Sequence, residues 1–363
     1  MCLHVARIAF HHPDLKRKIT ITAPPPAEFA RIIEGERSVE RPLTSGLARR
    51  FACLGVDDTN AFRLFTGYAE GIKGVTAERY GDVLILVLHE GHGVGESLLL
   101  QMARWYRKSL GIKSAVAKYV PRSRESAASA DRSNVDQPDG QTPPRVILGT
   151  GVPERIEILE AGLRFQIRPF ETSVGLFLDQ RDNRRRIREL AQGKTVLNLF
   201  AHTCGFSVAA AVGGATRTVS VDISQGLLDW GRENFALNGV STADHEFIRC
   251  EAVEFCKRAK RLGHSFDVII LDPPTFAHGR KRGRFFSVDR DLGPLVATAA
   301  QLLNRDGIMM VSVNRRGLSA NWLRDQVKKA VRGRRVRILA TPPLPADFAV
   351  DPGHAKSILV RFP

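Results

Sequence analysis

The alternation of short apolar segments with helix-forming segments is the feature that most restricts the fold of this chain. From about Glu171 onward, helical patterns such as NRRRIRELAQ and QGLLDWGRENFALNG stand between the apolar segments. Such alternation is typical of a doubly wound, mostly parallel α/β sheet, because parallel neighbours need crossover connections. We predict strands at Thr195–Phe200, Thr218–Asp222, His245–Arg249, Phe266–Asp272, Gly307–Asn314 and Arg335–Ala340.

A smaller α/β domain is predicted before this sheet. Two strands, at Gly74–Tyr80 and Val83–Leu88, flank a Gly-Asp turn, and Glu96–Leu110 has apolar residues at helical spacing. Residues 121–145 are polar and rich in Ser, Asp and Pro, which predicts a mobile surface loop. Residues 154–170 predict a β-hairpin that bridges domains or covers an active site. We therefore predict an N-terminal extension of unassigned function (1–48), a small domain (49–170) and a large domain (171–363).

Charge and composition narrow the choice of partner. The chain has 54 Lys and Arg against 38 Asp and Glu, a net charge of +16. A basic surface attracts polyanions, which favours nucleic acid, although an arginine-rich proteome would produce the same excess. No apolar run approaches the roughly 18 residues of a membrane span, so we expect a soluble, cytoplasmic protein without a membrane partner. Five cysteines lack CxxC spacing, so we expect reduced thiols and no metal site.

Polar residues follow the predicted strands at the edge where a doubly wound sheet binds its ligands. The first strand leads into a turn with Asn198, Phe200 and Gly205, before a helix whose free N–H groups can approach a ligand. Asp222 ends the second strand, where a carboxylate can accept hydrogen bonds from both ribose hydroxyls of a nucleoside. An acid at this position is also a common helix cap, and Ser224 offers a second cap close by.

The DPPTF segment, which begins at Asp272, follows the fourth strand. Two prolines lack N–H donors and fix the backbone, which leaves carbonyl groups and the Asp272 carboxylate for a planar substrate, with Phe276 available for stacking. A Pro-Pro pair that simply ends a strand is the alternative. Glu251 and Ala252, after the third strand, are placed to read an adenine edge. Together, Asp222 and Asp272 predict a site for a nucleoside and a planar substrate.

The segments VLNLFAHTCGF, VSVDIS, DPPTF and ETSVGLFLDQRDNR resemble those of the class I S-adenosylmethionine-dependent methyltransferases. The resemblance is to the bacterial enzymes that methylate cytosine carbon 5 or guanine nitrogen 7 of large-subunit ribosomal RNA. It covers about residues 57–363, and DPPTF and GLFLDQRDNR are its more specific parts. It implies a Rossmann-like catalytic domain after a small RNA-binding or substrate domain, S-adenosylmethionine as the cofactor, and ribosomal RNA as the partner.

The resemblance also assigns roles to individual residues. It implies that Asp222 binds the ribose of the methyl donor and that Glu251 lies near its adenine. The whole implied cofactor site is Phe177, Asp179, Gln180, Arg181, Asn198, Phe200, Ala201, Thr203, Gly205, Asp222, Ile223, Glu251, Ala252 and Asp272. The residues implied to hold the target base are Asp272, Pro273, Pro274 and Phe276.

Basic residues near these motifs are candidates for RNA contact. One run follows DPPTF directly and would flank the mouth of the pocket, where RNA phosphates must pass, whereas most charge runs are solvated faces. Two further arginines follow the fifth predicted strand. The candidates are Arg280, Lys281, Arg282, Arg284, Arg315 and Arg316.

The sequence departs from the family pattern in the cofactor turn, where Ala201, His202 and Cys204 replace the usual Ser, Tyr and first Gly. Methylation of cytosine carbon 5 needs a cysteine nucleophile, and no cysteine follows Cys256. A guanine nitrogen carries its own lone pair, so we favour a guanine target. The alternatives are a methyltransferase of a small planar metabolite or a protein, and a non-catalytic RNA-binding or ribosome-assembly protein. The oligomeric state, monomer or homodimer, stays open.

Overall fold

The computed structural model describes residues 7–14, 16–22, 39–51, 58–89, 92, 94–120, 142–274, 276–278, 285–351 and 353–363. The described chain begins with a hairpin in which β1 (Arg7–His11) pairs antiparallel with β2 (Lys18–Thr22). Helix α1 (Glu40–Phe51) follows. Most of the predicted loop at 121–145 lies outside the described residues.

A five-stranded sheet forms the small domain. Its strands, in spatial order, are β3 (Ala61–Thr66), β4 (Val75–Tyr80), β5 (Val83–His89), β6 (Ser114–Val120) and β7 (Arg145–Leu148). Only β5 and β6 are parallel, and helix α2 (Glu96–Leu110) connects them. The hairpin and the helix predicted here are confirmed. Helix α2 packs its apolar face into the core of this sheet, as its spacing predicts.

Helix α1 runs across residue 48, the end of the predicted N-terminal extension. Its Leu43 and Leu47 are buried in the same apolar cluster as the small sheet. Arg50, near its end, forms a buried ion pair with Glu70 at 2.5 Å. These contacts favour a first boundary before Glu40, and the division into domains as a whole stays a prediction.

The predicted hairpin at 154–170 is confirmed as β8 (Ile156–Glu160) and β9 (Leu163–Ile167), paired antiparallel. Its Ile158 and Phe165 are buried in one cluster with Tyr80 of the small domain and Phe235 of the large domain. The hairpin therefore packs against residues of both sheets, and its role as a link between domains stays a prediction.

A seven-stranded sheet organises the large domain. Its strands are β10 (Thr195–Leu199), β11 (Arg217–Asp222), β12 (His245–Arg249), β13 (Phe266–Leu271), β16 (Leu303–Val313), β17 (Arg337–Ala340) and β18 (Lys356–Phe362), in the spatial order β12-β11-β10-β13-β16-β18-β17. The first five of that order are parallel neighbours, and β18 runs antiparallel to both β16 and β17. The predicted doubly wound, mostly parallel sheet is confirmed.

Helices cover both faces of this sheet. They are α3 (Arg181–Leu190), α4 (Gly205–Val212), α5 (Gln225–Leu237), α6 (Ala252–Arg261), α7 (Val288–Ala300) and α8 (Ala320–Ala330). A separate ribbon of β14 (Phe276–His278) and β15 (Phe285–Ser287) stands beside α7. In the part of the chain that the structure describes, no helix is long and apolar enough to cross a membrane.

Strand β18 is the element of the large sheet that the sequence pattern failed to predict. A short apolar run such as SILV is ambiguous between strand and helix when only its periodicity is considered. It becomes a strand because it fills the gap between β16 and β17 and satisfies the backbone groups of both. The strand predicted at Arg335–Ala340 is thereby an edge strand, which begins at Arg337.

Candidate active site

A cleft opens at the carboxyl end of β10, where the strand order changes direction. β10 pairs with β11 on one side and with β13 on the other, so the segments that leave these strands diverge and uncover the strand ends. The cleft has a volume of about 380 Å³, including its open mouth. It is lined by Gly175, Leu176, Phe177, Gln180, Arg184, Phe200, Ala201, His202, Thr203, Gly205, Phe206 and Asp272.

Most of this lining was predicted from the sequence. The predicted site residues that line the cleft are Phe177, Gln180, Phe200, Ala201, Thr203, Gly205 and Asp272. The lining residues that were not predicted are Gly175, Leu176, Arg184, His202 and Phe206, and each stands within the segment VLNLFAHTCGF or the segment ETSVGLFLDQRDNR. Gly175 has φ +108°, and a Cβ there would lie 2.2 Å from the Trp230 ring. Only glycine therefore allows this close approach.

The turn between β10 and α4 has an unusual backbone. Phe200, His202 and Cys204 have φ of 60°, 51° and 62°, in the left-handed region. This region costs a non-glycine residue about 1–2 kcal/mol. Backbone hydrogen bonds hold the turn in place: Ala201 N–H donates to the Val221 carbonyl at 3.0 Å, and Cys204 N–H to the Ala201 carbonyl at 2.8 Å. The turn thus presents the start of α4 to the cleft.

Cys204, which replaces a glycine of the family pattern, packs against Gly231 of α5. A Cβ at residue 231 would lie 2.3 Å from the Cys204 Sγ and 2.9 Å from its Cβ. The thiol therefore occupies the space that a side chain at 231 would need. Burial raises the pKa of this thiol to about 12, so it stays protonated at neutral pH.

We expect Gly231→Ala to lower the free energy of unfolding by about 2 kcal/mol, because the new methyl group overlaps Cys204. Adding Cys204→Gly should recover most of this loss, since it removes the Sγ. Glycine also adopts the left-handed backbone conformation at position 204 without the cost that cysteine has there. Urea unfolding of the wild type, both single variants and the double variant measures the coupling. Effects that simply add would contradict the contact.

Asp222, at the end of β11, is bound by the backbone of two turns. His202 N–H donates to its Oδ2 and Ser224 N–H to its Oδ1, both at 2.9 Å. Each carboxylate oxygen keeps a further acceptor site. Burial raises the pKa of Asp222 above its usual value, although these backbone hydrogen bonds act against the shift. The cap of α5 is Ser224, whose Oγ accepts from Leu227 N–H, so Asp222 is available for a ligand.

Glu251 caps helix α6. Its carboxylate oxygens accept hydrogen bonds from the N–H groups of Val253 and Glu254, at 3.1 and 2.9 Å. The residue stands at the carboxyl end of β12, but neither it nor Ala252 lines the cleft described above. Ile223 is 41% exposed beside Asp222. The assignments of these three residues to the adenine side stay predictions.

Asn198 faces the interior of the large domain. Its amide donates to the Ser207 hydroxyl at 3.0 Å, and Ser207 also accepts from Ser220 at 2.7 Å. These bonds fasten α4 to β10 and β11. Asn198 is buried and outside the lining of the cleft, so the structure places it beneath the cofactor turn.

Asp272 lines the cleft within a network of polar side chains. The Gln180 amide donates to the Ser312 hydroxyl at 2.7 Å and lies 3.5 Å from the Asp272 Oδ1. Burial and the nearby charge of Asp179 raise the pKa of Asp272 to about 7, against an opposing hydrogen bond from Ser312. Of the two prolines that follow, Pro273 is buried and Pro274 exposed.

Asp179 and Arg181 lie outside the lining of the cleft. Asp179 Oδ2 is 3.2 Å from the His354 Nε2. Burial acts to raise the pKa of Asp179, but His354 and nearby arginines outweigh it, so this pKa is lowered. Arg181 donates to Asp347 at 3.0 Å and to the Ala61 carbonyl of the small domain at 2.9 Å. The structure thus places Arg181 at the contact between domains.

His202 lines the cleft as a neutral side chain. Burial lowers the pKa of its imidazole to about 4. Its Nε2 is 3.0 Å from the Ser173 hydroxyl, and its ring centroid is 5.0 Å from that of Phe177. Because the ring is uncharged at pH 7, it adds no positive charge to a site that would hold a cationic ligand.

The candidates for RNA contact fall into two groups. Arg315 forms an ion pair with Asp289, and Arg316 with Asp351, near the carboxyl end of β16. The others, Arg280, Lys281, Arg282 and Arg284, lie outside the described residues. Phe276 is described only through its backbone pairing with Ser287. The stacking and RNA-binding assignments therefore stay predictions.

Comparisons with known proteins agree with this geometry. A family model described as S-adenosylmethionine-dependent methyltransferase matches residues 125–361. The ribosomal RNA large subunit methyltransferase of Deinococcus radiodurans is 33% identical over 88% of this chain and 78% of its own. The ribosomal RNA large subunit methyltransferase I of Erwinia tasmaniensis is 33% identical over 70% of this chain and 61% of its own.

A solved structure gives the same result. The structure of SMU.776, crystallised with S-adenosylhomocysteine, has a TM-score of 0.76 and 26% identity, covering 88% of this chain and 80% of its own. The doubly wound sheet, with one acid at the end of β11 and another at the end of β13, defines a class I methyltransferase. The chain belongs to the S-adenosylmethionine-dependent methyltransferase family, and S-adenosylmethionine is its methyl donor.

The residues present fit this donor. Asp222 offers two unused acceptor sites for ribose hydroxyls, and the neutral His202 avoids repulsion of the sulfonium. A Cβ at Gly205 would lie 3.2 Å from Leu176 and 3.4 Å from Arg184. The absence of a side chain there lets Leu176 and Arg184 pack close to the N-terminus of α4, and Gly205 itself lines the cleft.

Proposed function

We propose that this protein methylates a base of large-subunit ribosomal RNA, at a guanine nitrogen in preference to cytosine carbon 5. The names of the two relatives and the net charge of +16 support an RNA substrate. The chain spans 61% of the length of the Erwinia relative, so the substrate in that relative's name is a proposal for this chain. Action on ribosomal RNA would place the protein in the cytoplasm.

The burial of the described cysteines is the observation that favours a nitrogen target. Cys204, Cys250 and Cys256 are buried, and burial raises the pKa of each thiol, to about 12 for Cys204 and Cys256. Addition to carbon 6 of cytosine needs a thiolate that reaches the base. None of these three lines the cleft, and the thiol of Cys204 packs on Gly231 instead.

S-adenosylmethionine supplies an electrophilic methyl group on its sulfonium. The protein then has to place a nucleophilic atom in line with that group and to exclude water. Asp222 would orient the donor through its ribose. Asp272, on the neighbouring β13, would accept N–H groups of the base, and the rigid Pro273-Pro274 backbone would fix the position of this carboxylate. Phe200, whose ring centroid lies 5.5 Å from that of Phe286, adds an apolar wall.

The test is methyl transfer from labelled donor to ribosomal RNA isolated from cells that lack this protein. Asp272→Ala serves as the inactive control, and digestion of the RNA identifies the modified nucleoside. We expect label in a guanine of the large-subunit RNA. Label in cytosine would overturn the target atom. Donor binding without any labelled RNA would instead support a small-molecule or protein substrate.

The pKa of Asp272 predicts the pH dependence of the reaction. If the ionised carboxylate accepts hydrogen bonds from the base, kcat/KM should rise as the pH increases through about 7 and then level off. The folded-state pKa is raised, so this group stabilises the free protein at low pH, and that contribution is lost as the pH rises through 7. Rates measured from pH 5.5 to 9 test this, and Asp272→Asn should lack the rise. Equal rates at pH 6 and 8 in the wild type would contradict it.

A further inference from the structure

A second cleft lies at the opposite edge of the large sheet, where β10 and β13 begin and β18 ends. It has a volume of about 640 Å³, including its open mouth, and is lined in part by Leu190, Val268 and Ile308. Its charged lining consists of Lys194, Arg305 and Arg361 with Asp267 and Asp306. Neither the methyl-transfer site nor the contact between domains uses these residues.

A pair of like charges stands in this region of the sheet. Arg361 of β18 is the register partner of Arg337 on β17 and of Ile308 on β16. Residues directly opposite each other share a face of the sheet, and like charges in that position repel. The Nε of Arg361 is buried without a hydrogen-bond partner among the described residues.

Burial acts to raise the pKa of Asp267, but hydrogen bonds from Thr195 and Asn304 and the charge of Lys194 outweigh it, so this acid offsets part of the positive charge of the cleft. Asp267 Oδ2 accepts from the Thr195 N–H and hydroxyl, and Oδ1 from the Asn304 amide, each at 2.9 Å. Within the described ranges, no carboxylate oxygen lies within 4 Å of the charged nitrogens of Lys194, Arg305, Arg337 or Arg361. Lys194, Arg305 and Arg337 are exposed, so an anion in solution can reach them.

We propose that the cleft of Lys194, Arg305 and Arg361 binds phosphate groups of the RNA backbone. The proposal rests on the proposed function, because it concerns how that RNA is held. Guanidinium groups bind phosphate oxygens through paired, charge-assisted hydrogen bonds, and an exposed lysine adds a point charge. Strand β13, with six residues, spans about 20 Å between the two clefts. The contact would therefore fall on RNA remote from the target base and would be independent of sequence.

The test uses the double variant Lys194→Ala with Arg305→Ala, because both side chains are exposed and outside the core. Lys257→Ala with Lys260→Ala is the matched control, since it removes two exposed lysines from α6. We expect the first variant to bind large-subunit ribosomal RNA about 10-fold more weakly, with a salt dependence shallower by about 1.4–1.8 in log–log slope. Donor affinity and kcat should match the wild type, and the control should retain the wild-type slope.

Each other outcome overturns the proposal. An unchanged slope would show that the cleft does not contact RNA. Equal changes of slope in both double variants would show that the effect comes from the lower net charge of the protein and not from this cleft. If the wild type binds no ribosomal RNA, the proposed function itself fails. In that case the melting temperature in sodium pyrophosphate identifies the source of phosphate. A rise in the wild type but not in the variant would assign the cleft to a free phosphate compound. No rise in the wild type would show that the cleft binds no phosphate.

Discussion

Replacing Asp222 with alanine is expected to weaken the binding of S-adenosylmethionine at least about 100-fold. Each oxygen of this carboxylate already accepts one backbone N–H, from His202 and Ser224, which orients the remaining acceptor sites. A hydrogen bond to a charged group contributes about 1.5–3 kcal/mol, so two ribose hydroxyls account for about 3 kcal/mol or more. Titration calorimetry with S-adenosylmethionine measures the loss. Asp244→Ala, which removes an exposed acid before β12, is the matched control.

A donor analogue that lacks both ribose hydroxyls separates direct contact from damage to the turn. If Asp222 binds these hydroxyls, the wild type should discriminate strongly against the analogue, and Asp222→Ala should bind both compounds equally weakly. A variant that keeps the full preference for the natural donor would show that Asp222 acts only by holding His202 and Ser224. The ribose assignment would then be wrong.

Asp272→Asn is expected to reduce kcat/KM for methyl transfer by about 100- to 1000-fold, the usual effect of losing one preorganised polar contact to the reacting group. Asparagine keeps the shape of the side chain beside Gln180 and Ser312, but it replaces a charged acceptor with a neutral amide. Rates with labelled donor under single-turnover conditions measure the chemical step. Donor affinity should change less than about threefold, because the ribose contact is on β11.

Stability measurements complete this test. At pH 8 the wild-type carboxylate is ionised although burial raises its pKa to about 7, so the neutral amide should be at least as stable towards urea. A variant that unfolds more easily and binds the donor poorly would point to a structural role for Asp272. An active, stable Asp272→Asn would show that the base is held by other groups, and the proposed role of this carboxylate would be wrong.

Much of the active site follows from position along the sequence. Asp222 and Asp272 each end an apolar segment, and parallel strands bring their carboxyl ends to one edge of a sheet. Local pattern is enough for this inference, since it depends only on where each strand stops. Helix α2 and the hairpin β8–β9 were predictable for the same reason, because apolar spacing and turn residues are local signals.

The contacts of other residues were not predictable, because local pattern says nothing about long-range partners. Asp179 and Arg181 stand in a segment that resembles the family, yet their side chains meet His354 and Asp347, which come from the connection between β17 and β18. Cys204 is a second case, because its buried thiol packs against Gly231 of α5. No periodicity in the sequence connects these positions.

The sequence by itself determined the α/β class, the order of the parallel strands along the chain and the acids at their ends, because strand periods and strand ends are local properties. The tertiary structure alone decided that β18 enters between β16 and β17. That insertion brings Arg361 opposite Arg337 and beside Ile308. It thereby adds Arg361 to the lining of the second cleft. Strand insertion depends on which backbone groups remain unpaired once the rest of the sheet has assembled, and this is a property of the whole fold.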